Sequence, residues 1–80
     1  MNSSEAHKMA ALATDVAFTD HEMIVCLADG RSITVPLEWF PRLRDASPEN
    51  RSKWRLIGDG IGISWEALDE DISVPALLAA

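Results

Sequence analysis

The chain has 80 residues, a formal net charge of −6 and 48% hydrophobic residues. One domain of this size buries only about 60–65% of the surface its unfolded chain exposes, yet its apolar supply separates it from a disordered chain. Cys26 is the single cysteine, which excludes a disulfide framework and a cysteine-rich zinc site. The acidic total argues against generic binding to DNA or to acidic membranes.

Charge is unevenly spread. Residues 1–30 sum to −4, residues 31–55 to +3, and residues 56–80 to −5. The basic middle holds Arg31, Arg42, Arg44, Arg51, Lys53 and Arg55. No stretch approaches the length of a membrane span. The opening MNSSEAHKMAALATD is too short and too broken in its apolar run for a signal peptide. With one unpaired cysteine, the expected compartment is the cytoplasm.

Residues 1–13 read as a flexible or helical N-terminal segment, and residues 14–80 as a single α+β domain. Thr14 to Phe18 alternates and predicts a strand. Thr19-Asp20-His21 is a turn. Glu22 to Leu27 is apolar on both faces, which predicts a central, covered strand. Asp29-Gly30 is a hairpin signal of the type I′ kind, and Arg31 to Val35 is the third strand of a meander.

Pro36 to Phe40 reads as an irregular turn. Pro41 opens a helix to about Ala46, and Ser47-Pro48-Glu49 opens another, with Ser47 as cap. Glu49 and Lys53 then stand at i,i+4. Trp54 to Ile57 and Ile61 to Trp65 flank Gly58-Asp59-Gly60, a second hairpin, with Gly62 marking a bulge or close backbone approach. Ser73 caps a closing helix through Leu78. The expected fold is a small antiparallel sheet, a three-stranded meander plus a C-terminal hairpin, with short helices in the middle and at the C-terminus.

Asp29-Gly30-Arg31, Trp39-Phe40-Pro41-Arg42-Leu43, Ile63-Ser64-Trp65 and Leu68-Asp69-Glu70-Asp71-Ile72-Ser73-Val74 form a combined pattern. With Pro36-Leu37, Arg51, Trp54 and Leu77-Leu78, it resembles the small bacterial domain-of-unknown-function 2442 family, over Thr14 to Leu78. The resemblance implies a small α+β domain, often encoded beside a toxin-like small protein. Some members carry an added helix-turn-helix domain. The family favours His at the place of Ser64 and Pro at the place of Glu66, so chemistry by a histidine there is not expected of this chain. The resemblance implies no established activity.

Gly58, Gly60 and Gly62 lack the third glycine and the following helix that a dinucleotide loop needs. His7 and His21 have no nucleophile spaced to use them, and Cys26 reads as a small buried apolar residue. No cofactor or metal is implied. Asp69, Glu70 and Asp71 form the densest acidic group, read either as a solvated loop or as a partner-facing patch. Trp39 and Trp65 are candidate interface anchors, with Arg42 beside the first. The basic middle reads as solvated, as paired with the acidic C-terminal segment, or as a phosphate-contacting surface.

The expectation is a non-catalytic protein-interaction module, antitoxin-like, binding a small basic protein through Trp39, Arg42, Trp65, Asp69, Glu70 and Asp71. The alternative is a nucleic-acid-linked regulator using the basic middle. Opposite charges on the middle and the ends, with unpaired sheet edges, favour a homodimer.

Overall fold

A computed structural model of the chain describes residues 11–80. It contains two three-stranded antiparallel sheets with short helices, a small α+β fold. The first sheet comprises β1 (Ala13–Phe18), β2 (Glu22–Leu27) and β3 (Ser32–Pro36), with β2 in the centre. The expected meander is present. Of the expected N-terminal segment, residues 1–10 lie outside the described residues. Ala13 belongs to β1 and is buried, so the folded unit begins before Thr14.

Met23, Val25 and Leu27 face the core, whereas Ile24 and Cys26 on the other face of β2 are only half-buried. The strand is central, but its second face is incompletely covered. The register of β1 on β2 shifts between Ala13 and Asp15, leaving Thr14 as the extra residue of a bulge. The β2–β3 loop is Ala28-Asp29-Gly30, in which only Gly30 has positive φ. That is a three-residue turn with glycine in its left-handed position, not a two-residue type I′ turn. Asp29 secures it by accepting from the Arg31 backbone N–H at 3.0 Å and from Arg31 Nε at 2.7 Å. Pro36 ends β3 without a lost ladder bond, because β3 is an edge strand.

A 3-10 turn, Leu37–Trp39, leads into α1 (Pro41–Arg44) and α2 (Pro48–Arg51). Proline opens both helices. The first stops at Arg44, earlier than expected, because Ser47 precedes Pro48 and is held extended (φ −68°, ψ 155°). Lys53 lies beyond the end of α2, so the Glu49–Lys53 helical pair does not form. Ser47 Oγ accepts the Asn50 N–H at 3.1 Å. Ser47→Ala should lose about 1 kcal/mol, lowering the thermal midpoint by about 4–8 °C in a circular-dichroism melt.

The second sheet comprises β4 (Arg55–Ile57), β5 (Gly62–Trp65) and β6 (Glu70–Ser73), followed by α3 (Val74–Ala79). Two findings depart from expectation here. The later strands make a sheet of their own and do not extend the meander. The acidic run is also a strand, entered through Asp69 at φ 53°, ψ 44°. Pairing with β5 outweighs the poor strand preference of Glu70 and Asp71. One core joins the sheets: Met23, Val25 and Val35 from the first, Ile63, Trp65 and Ile72 from the second, with Leu43, Val74 and Leu77 from the helices.

Candidate functional site

The 3-10 turn decides which aromatic faces water. Its period of three sets Leu37 and Phe40 on one side. Leu37 is 1% exposed and Phe40 packs against the core. Trp39 falls off that side and is 53% exposed. Three positions on, Arg42 Nη1 donates to the Asp69 carbonyl and lies 3.8 Å from its carboxylate. Arg44 donates to both oxygens of Asp45, at 2.9 and 3.1 Å, and to Glu38 at 3.2 Å. The Asp45 carboxyl is held below the usual carboxylate range by its hydrogen bond to Arg44. The group is exposed, so salt screens these pairs.

The fold brings Trp39, Arg42 and Asp69 onto or beside one loop cluster, but it does not unite all six expected residues. Trp65 is 0% exposed. Its Nε1 donates to the Arg51 carbonyl at 2.9 Å, and its ring meets Phe18 edge-on at 6.4 Å. It is a core residue and cannot anchor a partner, because β5, the middle strand of its sheet, is buried on both faces. The acidic group also divides. Along β6 successive side chains alternate, so Glu70 joins the face of Ile72 and is half-buried, while Asp71 is exposed on the other. Asp71 stands across from Ser64, which on its other side faces Arg55. Arg55 in turn pairs with Glu66 at 3.1 Å.

The basic middle is therefore largely engaged within the fold. Arg42, Arg44 and Arg55 have carboxylate partners. Arg51 is spent on backbone: Nε donates to Leu43 O at 2.7 Å and Nη2 to Arg44 O at 2.6 Å. These carbonyls belong to the last turn of α1, and Leu43 O also accepts the Ala46 N–H at 3.2 Å, so Arg51 adds a side-chain cap to that end. Lys53 has no ion pair among the described residues.

Arg51 also borders a surface groove of about 370 Å³, together with Val16, Phe18, Pro48 and Trp54. Its guanidinium lies over the Phe18 ring, 5.9 Å from the centroid. In the sequence, Arg51 stands as one base of the basic middle and as part of the family-like pattern, with no structural role attached. No local signal marks this role, because Arg51 lies in α2 and reaches the carbonyls of the preceding helix.

Gly58–Gly60 is a 3-10 turn followed by strand β5, so it offers no helix terminus to a phosphate. His21 is exposed in its turn, and Cys26 is half-buried where full burial was expected. His7 lies outside the described residues. Among the described residues, no three His, Cys, Asp or Glu side chains gather to hold a metal ion. None of their helices is long and apolar enough to cross a membrane.

This geometry defines a class, a small two-sheet α+β domain with one exposed tryptophan set among paired charges. The chain belongs to the family described as "Protein of unknown function (DUF2442)", whose pattern it matches over residues 13–80. It is similar to a protein of unknown function from Rhodospirillum rubrum seen in a crystal structure. The two are 30% identical, with a TM-score of 0.71, over 85% of this chain and 84% of the other. It also shares the fold of an uncharacterized protein from Chromobacterium violaceum solved by solution NMR. That likeness has 20% identity and a TM-score of 0.74, over 95% of this chain and 72% of the other. No curated protein matches the chain by sequence.

Proposed function

We propose that this domain is a non-catalytic interaction module that docks a small basic protein, in the manner of an antitoxin neutralising a neighbour. The observation that carries the reading is Trp39, a large aromatic 53% exposed beside Arg42. Tryptophan at the centre of an interface supplies apolar burial that charged rims do not. The net charge of −6, with Asp69 and Asp71 facing water, favours encounter with a basic surface and disfavours nucleic acid. A phosphate-binding role for the basic middle is less supported, because Arg42, Arg44 and Arg55 already face carboxylates.

The test is capture of partners on the immobilised chain, with and without nuclease. A small basic protein should be retained regardless of nuclease. Trp39→Ala should weaken that complex about 30-fold or more while leaving the thermal midpoint nearly unchanged. Replacing Asp69 and Asp71 together by Asn should slow association at low salt and converge with the parent at high salt. Retention that disappears with nuclease would transfer the reading to nucleic acid.

A further inference from the structure

The groove beside Arg51 is lined without Trp39. Two observations meet there. The first is an edge. β1 is the outer strand of the first sheet. Thr19 N–H bonds back to Glu22 O at 2.9 Å across the hairpin. The alternation of an antiparallel ladder therefore turns the backbone groups of Phe18 and Val16 away from β2. Val16 N–H agrees, since it is taken by the Asp15 carboxylate at 2.9 Å and not by β2. The Val16 carbonyl and the N–H and carbonyl of Phe18 remain directed outward, as an edge that an added strand pairs with.

The second observation is a charge. Arg51 uses Nε and one Nη2 proton on the α1 carbonyls. Of its five N–H donors, three remain; its charge also acts on the Asp45 carboxylate, but no carboxylate forms an ion pair with it among the described residues. The guanidinium is fixed by those two bonds and by the Phe18 ring. Phe18 itself is fixed by Trp65, whose N–H holds the Arg51 carbonyl. A fixed guanidinium with open donors is matched to a planar carboxylate, and the aromatic wall of Phe18 and Trp54 is matched to an apolar side chain.

We infer that this groove docks the C-terminal end of an extended peptide segment of a partner protein. The peptide backbone pairs with the β1 edge at Val16 and Phe18, its terminal carboxylate meets Arg51, and its last side chain rests on Phe18 and Trp54. Asp20 also lines the groove and opposes the carboxylate at its own end, so the fit is directional.

The test uses the full chain, labelled with nitrogen-15, and two probes. One is acetyl-Thr-Val-Thr-Val with a free carboxylate; the other is the same peptide as its C-terminal amide. Titration to about 5 mM covers the weak range a short peptide reaches. The expected result is shifts at the Val16–Asp20 amides, Arg51 Nε–H and the Trp54 indole. The acid should bind about tenfold tighter than the amide. Asp20→Asn, in an exposed turn, should tighten the acid and leave the amide unchanged. Arg51→Gln should erase the preference for acid, and where that variant does not fold, the acid–amide comparison on the parent chain decides. Equal affinities, or shifts confined elsewhere, would overturn the inference. Shifts of β1 that grow with protein concentration alone would place a second copy on the edge and overturn it as well.

Discussion

Trp65→Ala is expected to unfold the domain in dilute buffer at room temperature. Trp65 is 0% exposed in the middle strand of the second sheet. Removing a buried aromatic of this size loses about 3–5 kcal/mol through transfer and cavity terms. The same change takes the donor from the Arg51 carbonyl, bonded at 2.9 Å, and deprives Phe18 of its edge-on partner at 6.4 Å. A small domain holds roughly 5–15 kcal/mol in total, and 80 residues stand near the low end. Trp65→Phe keeps a smaller aromatic ring and loses the N–H and part of the packed volume, so it should cost about 1–3 kcal/mol and remain folded. Urea denaturation followed by circular dichroism separates the two. A Trp65→Ala protein that retains its cooperative transition with under about 1 kcal/mol lost would mean that the indole is not seated in the core.

The second large effect is expected at Gly60. It has φ +110°, and a Cβ there would stand 2.3 Å from the Ala13 carbonyl and 2.9 Å from the Ala13 nitrogen. Both obstacles are backbone, so no rotamer change relieves them. Gly60→Ala combines a disfavoured conformation with overpacking, and should lose about 2–4 kcal/mol. Gly30→Ala is the matched comparison. Gly30 also has positive φ, +91°, but nothing lies within 4 Å of its would-be Cβ. It should lose only about 1–2 kcal/mol. Equal losses at the two positions would show that conformation alone matters, and that the turn does not press on β1.

Local signals carried much of this fold. Alternation gave β1 and β2 to within a residue, and Pro41, Ser47 and Pro48 marked the helix starts where they are found. What remained illegible depends on contacts distant in sequence. β6 carries Asp71 and Glu70 and has one buried apolar residue, Ile72. It is a strand because β5 is there to pair with it. The same cause took Trp65 out of the candidate surface, since β6 and the core cover what a lone hairpin would expose. The close approach of Gly60 to Ala13 joins residues 47 positions apart, and no spacing rule encodes it. Trp39 was legible as a candidate, because a 3-10 turn cannot bury adjacent large rings on one side. Arg42's link to Asp69, 27 positions away, and Arg51's cap on α1 were not, because both are made by side chains reaching between elements.

The proposed interaction module rests on Trp39 as its contact residue. The most direct measurement replaces that residue with a photoreactive side chain, Trp39→p-benzoylphenylalanine, in the native host, followed by irradiation, nuclease treatment and mass mapping. The expected result is a covalent adduct with one small basic protein, unaffected by nuclease and diminished when Asp69 and Asp71 are both changed to Asn. An adduct only to nucleic acid, or none at position 39 while the same reagent at the exposed Ile57 or Leu78 captures a partner, would contradict it.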